Sequence, residues 1–263
     1  MSTLKDTLGV IHLTRKSELK SELAGKRWIC VEFPVVEYKD VLDLQQRLVA
    51  ARNNEIIGSD IILLLEHSPV FTLGLRGGFD NLKVSRAFLA KQGIAIIQSE
   101  RGGDITFHGP GQLVAYPIID LKKSELKVLN YVAGLEEIMI RVAADWGIMA
   151  KRNPANRGIW VGNSKLGSVG ISVRKGICFH GFALNVNIEM EPFEWMNPCG
   201  LKDCGVTSMI RELSQKISIN QVRKAVKSHI EAVFGVTLVL TSLSELQELI
   251  TGCIPQKTVA GYC

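Results

Sequence analysis

Apolar positions along this chain fall into short blocks whose spacing switches between that of strands and that of helices. Trp28-Ile-Cys-Val-Glu-Phe33 reads as a strand, and Val41, Leu44, Leu48 and Val49 then recur at helical spacing. Ile61 to Leu65 is an unbroken apolar run of strand length, predicting a buried strand. Ile94 to Ile97 and Leu113 to Ile119 predict two more strands around a glycine-rich loop. Leu129, Val132, Ala133, Met139, Ala143 and Trp146 mark a long helix that stops near Gly147. From Gly158 to Asn187 the chain is β-rich, with Ile159–Val161, Lys165–Val173 and Ile177–Ile188 separated by the turn signals Gly162-Asn163 and Lys175-Gly176. That pattern predicts an antiparallel meander. Val222, Val226, Ile230 and Val233 give a last helix, with Ser218 or Asn220 as its N-cap. Strands and helices alternate irregularly, which favours an α/β or α+β fold: a mixed sheet flanked by helices rather than a strict βαβ repeat.

Size and charge narrow the function. The chain has 263 residues, 46% apolar and 22% charged, enough for one large domain with a real core and unlike a disordered or fibrous protein. Its longest apolar run stops at Glu66-His67, so no membrane-spanning helix is expected. The first residues mix charge with apolar positions and do not resemble a secretory signal, which makes the cytoplasm the expected location. The formal charge of +5 comes without a Lys/Arg block, so nucleic acid is a poorer partner than an acidic protein. Cys30, Cys178, Cys199, Cys204, Cys253 and Cys263 form no C-x-x-C pair, which points to reduced thiols.

The densest chemical signal is Arg101-Gly-Gly-Asp-Ile-Thr-Phe-His-Gly-Pro-Gly-Gln112, with four glycines, an arginine and a histidine between two apolar strands. Glycines let backbone N–H groups approach a ligand, and Arg101 and His108 add donors, so an anionic or carbonyl group suits it. The alternative is a tight turn with Arg101 in a salt bridge. No G-K-[ST] and no G-x-G-x-x-G is present, so nucleoside triphosphate binding has no support. Pro198 and Gly200 fix the turn that presents the Cys199 thiol, a nucleophile unless it is a small buried hydrophobe. Cys204 with Cys199, His108 and His180 could instead hold zinc, but the spacing is not that of a usual site. Lys165 sits among small and apolar residues, a setting that opens a general-base role, although an exposed hairpin lysine is the simpler reading. His180, in an apolar strand, reads by itself as a core histidine.

Taken together, Glu66-His-Ser-Pro-Val-Phe-Thr-Leu-Gly74, the Arg101–Gln112 block, Gly158-Ile-Trp-Val with Lys165, His180-Gly-Phe-Ala-Leu-Asn185, and Pro198-Cys-Gly200 with Thr207-Ser208 resemble the lipoyl(octanoyl) transferase family. The resemblance covers about residues 28 to 235, and Ser68, Phe71 and Gly167-Ser168 depart from the family's usual proline, tyrosine and alanines. It implies a fold shared with lipoate and biotin protein ligases, a catalytic domain over 26–238, and extensions at 1–25 and 239–263. It implies transfer of an octanoyl group from octanoyl-acyl carrier protein to a lysine of a lipoyl domain, in 2-oxoacid dehydrogenases or the glycine cleavage H protein. By the same likeness Cys199 is the acyl-accepting nucleophile and Lys165 its acid/base partner, with no metal and no cofactor. Arg101, Gly102, Gly103, His108, Gly167, Ser168, Val169, Gly170, His180, Gly181, Phe182 and Ala183 would line the substrate pocket. An ATP-dependent lipoate-protein ligase of the same fold is the alternative.

Overall fold

The structure, a computed structural model, describes residues 26–154, 156–197 and 205–251. The chain runs through β1 (Arg27–Val36), α1 (Tyr38–Asn53), β2 (Asp60–His67), β3 (Val70–Leu73), α2 (Arg86–Lys91), β4 (Ala95–Gln98), β5 (Ile105–His108) and β6 (Gln112–Asp120). It continues through α3 (Val128–Asp145), β7 (Lys151–Arg152), β8 (Gly158–Val161), β9 (Ser164–Arg174), β10 (Ile177–Asn185), α4 (Glu191–Glu194) and β11 (Gly205–Val206). It closes with α5 (Met209–Leu213), α6 (Ile219–Phe234), β12 (Thr237–Leu240) and α7 (Leu243–Thr251).

The main sheet has the order β12-β1-β2-β6-β10-β9-β8-β7, with β11 added alongside β9. β12, β1 and β2 are parallel, and every step from β2 to β7 is antiparallel, so the sheet is mixed. Strand β2 shows why the apolar run at 61–65 has no polar alternation. Ile62 and Leu64 pack with Tyr131, Leu135 and Met139 of α3 and Val222, Val226 and Ile230 of α6. Ile61, Leu63 and Leu65 pack on the other side with Val41, Leu44 and Leu48 of α1. A strand covered by helices on both faces must be apolar at every position.

The predicted helices and the 158–187 meander form as expected, and Ser218 is the N-cap residue of α6. One difference matters for the site. Ile105–His108, read within a glycine-rich loop, is strand β5, paired antiparallel to β3 while β4 joins β3 in parallel. Four residues are too few for periodicity to register, and the pairing partner supplies the order. Residues 239–251, outside the family resemblance, pack on the same sheet: β12 extends β1, and Leu246 and Leu249 are buried beside α1.

One buried ion pair ties the end of α1 to β2. Arg52 donates to Asp60 at 2.6 Å and to the Ile57 carbonyl at 2.7 Å, and Asp60 also accepts from the Asp120 amide and the Ser124 hydroxyl. Both side chains are nearly inaccessible to solvent, at 2% and 9%. Asp60→Ala leaves the guanidinium uncompensated and is expected to reduce stability by about 3–5 kcal/mol. The apolar double variant Arg52→Met/Asp60→Leu is expected to lose less, which urea unfolding of the two proteins measures directly.

Candidate active site

Loops and strands from four parts of the chain are drawn together by backbone contacts. Leu75 and Arg76 donate to the carbonyls of Arg101 and Gly103, and Gly102 donates to Ile171 in β9. Gly74 is required there, because a Cβ would fall 2.4 Å from the Gly103 oxygen and 2.8 Å from the Arg101 guanidinium. The Arg101 side chain turns inward: Nε and Nη2 donate to Thr72 at 2.7–3.0 Å, and Nη1 to the Gly102 carbonyl at 3.1 Å. Its guanidinium therefore rivets the 101–103 loop to β3.

These elements enclose a cavity of about 550 Å³. Arg101, Gly102, Gly103 and His108 line it from one side, and Lys165 and Ser168–Gly170 from β9. His180, Gly181, Phe182 and Ala183 complete the wall from β10. Gly167 lies outside the lining and faces α3, where a Cβ would come within 2.7 Å of the Met139 sulfur. Arg76, Asp104, Tyr116, Val132, Asn156 and Arg157 also line the cavity and were not named as site residues, although Asp104 falls within the Arg101–Gln112 block. Arg76 lies beside the Gly-rich signal in space alone, and Asn156 carries no motif.

Lys165 is 5% exposed, its Nζ donating to Asn156 Oδ1 at 2.7 Å and lying 5.4 Å from the centre of the Trp160 ring. The antiparallel β8–β9 register shifts by one residue there, from Ile159 opposite Gly167 to Trp160 opposite Lys165. Gly158, at φ +126°, comes so close that a Cβ would lie 2.2 Å from the Gly167 oxygen and 2.9 Å from the lysine Cε. Cys199, Cys204 and the Pro198–Gly200 turn lie outside the described residues. The chain is described again from Gly205, where β11 pairs parallel with β9 and sets Val206 against Lys165. Thr207 then donates to the Lys165 carbonyl at 2.9 Å.

Three buried histidines, His67, His108 and His180, lie on or behind the cavity wall. His67 Nδ1 faces the Val36 carbonyl at 3.1 Å, so that nitrogen carries the proton and Nε2 accepts from the Tyr116 hydroxyl at 2.9 Å. His108 Nδ1 faces Gln112 Oε1 at 2.7 Å, Gln112 Nε2 donates to Asn185 at 2.9 Å, and Asn185 donates to the Thr207 carbonyl at 2.9 Å. That chain of donors leaves His108 Nε2 as a bare acceptor. His180 is unusual in its backbone. The β6–β10 pairing lapses between Cys178↔Ile119 and Phe182↔Ala115, where Pro117 has no N–H to offer. His180 there adopts φ +57°, and its amide donates to Gln45 of α1 at 2.9 Å. Burial pushes His67 down to about 4, and burial with the nearby Arg101 charge pushes His180 down to about 3. His108 is lowered as well, by burial first and then by His67 and Arg101.

The site can therefore hold a small ligand between apolar and polar walls, beside one buried amine and neutral imidazoles. No group of three or more metal-ligating side chains occurs among the described residues, and no helix described there is long and apolar enough to cross a membrane.

The model of the lipoyl protein ligase A/B catalytic domain matches residues 37–231. An octanoyltransferase of Desulfotalea psychrophila is 45% identical over 219 residues, 82% of this chain and 98% of the relative. One of Caldicellulosiruptor bescii is 44% identical over 217 residues, 82% of this chain and 95% of the relative. The chain belongs to the octanoyltransferase family. It is an enzyme, and its class is transferase. Two solved structures share the fold of this octanoyltransferase-family chain at low identity. Lipoate-protein ligase A bound with ATP gives a TM-score of 0.67 at 15% identity, covering 85% of this chain and 92% of its own. A bi-partite lipoate protein ligase of Thermoplasma acidophilum gives 0.63 at 15%, covering 85% and 89%. The expected mixed sheet flanked by helices, of the lipoate ligase type, is the fold observed.

The neutral histidines carry a pH signature. On unfolding, His67 regains its ordinary value of 6.5 from about 4, so below pH 6.5 the unfolded chain binds a proton that the folded chain does not. Stability held above pH 6.5 is thus lost as the pH falls toward 4, with a slope of up to ~1.4 kcal/mol per pH unit for each histidine. Denaturant unfolding from pH 7.5 to 5 is expected to show this slope, and His67→Gln to shrink it by up to one proton's worth. An unchanged slope in that variant would remove His67 from the account.

Proposed function

We propose that this enzyme moves an octanoyl group from octanoyl-acyl carrier protein to a lysine of a lipoyl domain, through a thioester on Cys199. The observation that carries the reading is the Lys165 amine, buried in the cavity wall and held by Asn156 beside the strand on which the chain returns from Cys199. The names of the relatives support octanoyl transfer, and the solved lipoate ligases support a lipoyl-domain acceptor, such as those of 2-oxoacid dehydrogenases or the glycine cleavage H protein.

In the first half-reaction Lys165 Nζ takes the Cys199 thiol proton and the thiolate attacks the donor's carbonyl. The carbon–sulfur bond to the carrier's pantetheine breaks, and Lys165 returns the proton to that sulfur. In the second, the acceptor lysine's amine attacks the Cys199 thioester, an amide forms, and Cys199 leaves as thiolate while the amine's proton passes to Lys165. A thioester-to-thioester exchange is nearly balanced in energy and the amide lies downhill, so no nucleotide is consumed. The cavity's apolar members, Val114, Val132, Val169 and Phe182, suit an alkyl chain, and its arginines Arg76 and Arg157 suit an acidic carrier.

Cys199→Ala is expected to abolish both the acyl-enzyme and product, whereas Lys165→Ala slows both half-reactions ~10²–10⁴-fold, with partial recovery at high pH. Cys204→Ala is expected to stay close to wild type. Single-turnover acylation followed by intact-mass spectrometry, without ATP or magnesium, tests all three. An active Cys199→Ala enzyme would refute the thioester, and strict dependence on ATP with free octanoate would move the chain to the ligase reaction.

A further inference from the structure

We propose that Asn156 is a positioning residue for acyl transfer: its side-chain carbonyl fixes where the Lys165 amine points. The inference rests on the acid/base reading of Lys165 and adds to it the group that aims the amine.

An amine on a four-carbon stem samples many rotamers, and a proton carrier that must serve a thiol, a leaving thiol and an incoming amine needs one of them. The loop before β8 supplies the restraint. Lys165 Nζ donates to the Asn156 side-chain carbonyl Oδ1 at 2.7 Å, a bond open to the amine in either protonation state. Asn156 is itself held: its amide donates to the Asn153 carbonyl at 3.2 Å, and its own carbonyl accepts from the Trp160 indole at 3.2 Å. The face of that same indole ring lies 5.4 Å from Nζ. Two residues further on, the Gly158 amide donates at 2.9 Å to Glu136, a fully buried carboxylate of α3, with Arg152 3.4 Å from its second oxygen. The Asn156 loop is thereby anchored to the core helix, and Gly158 lies against the lysine stem.

The choice of amide over carboxylate has a chemical consequence. An amide oxygen accepts a hydrogen bond from the amine whether or not it carries the extra proton, so it directs Nζ without holding the proton in place. A carboxylate at the same distance would favour the charged form. Asn156 has no proton to exchange and cannot replace the lysine; it can only aim it.

The test uses the full chain with octanoyl-acyl carrier protein as donor, in single turnovers quenched for intact mass across pH 6 to 10. Asn156→Ala is expected to slow acylation at saturating donor ~10–100-fold, while the donor concentration for half-maximal rate stays within about twofold. Asn156→Asp, nearly isosteric, is expected to fold like wild type and to shift the rising limb of the pH–rate profile to higher pH. That shift reports that position 156 faces the amine, and the unchanged half-saturating donor concentration of Asn156→Ala separates aiming from a loss of donor binding. Asn156→Ala at the wild-type rate, or an Asn156→Asp profile superimposed on wild type, overturns the inference if Lys165→Ala is slow. If Lys165→Ala itself acylates at the wild-type rate, the acid/base reading fails and takes this inference with it.

Discussion

The buried guanidinium of Arg101 is the interaction on which the site depends. A cation taken out of water must be surrounded by acceptors, and Arg101 recruits the Thr72 hydroxyl and carbonyl and the Gly102 carbonyl. Those bonds join the Gly-rich loop to β3, and the backbone zipper between 74–76 and 101–104 closes around them. Burial first, and the Arg101 charge after it, disfavour protonation of His108 and His180. One residue thus shapes the wall of the cavity and adds to its electrostatics.

A second set of constraints comes from satisfying polar groups behind that wall. The series His108–Gln112–Asn185–Thr207 runs from the Gly-rich segment to the strand end beside Lys165, and each amide is oriented by the next partner's single available role. Glu66 accepts from the Gly111 amide at 2.8 Å and lies 3.6 Å from Arg223 of α6, which fixes the far end of the same turn. His180 pays in backbone strain of about 1–3 kcal/mol for a position that Pro117 opens and Gln45 completes. Neither Gln45 nor Pro117 touches the reaction as proposed, yet both decide where an imidazole stands.

Much of the architecture was legible in the sequence because burial imposes its own spacing. The run Ile61–Leu65, the helical repeats of α1, α3 and α6, and the turns at Gly162-Asn163 and Lys175-Gly176 each report a local rule that the structure obeys. The small β3–β4–β5 sheet was missed at β3 and β5, because Val70–Leu73 and Ile105–His108 are four residues each, with no period to detect. Of the residues named for the pocket, those of the 101–103 loop, His108, Lys165, Ser168–Gly170 and His180–Ala183 line one cavity, although Arg101 was expected to face a ligand and its donors instead hold the loop.

The sequence by itself determined the longer strands and helices, the burial of the Ile61–Leu65 strand, and the clustering of glycine, histidine and lysine that marks the family's motifs. These follow from interactions among near neighbours or from the hydrophobic period, which composition and order encode directly. Only the tertiary structure decided that Asn156 holds Lys165, that Gln45 receives the amide of His180, and that Glu136 anchors Gly158. Such pairs join residues whose partnership no local rule specifies, in the last two cases across 135 and 22 positions of chain. A hydrogen bond needs its partner within about 3 Å and correctly aimed, and that geometry exists only once both helices have packed on the sheet.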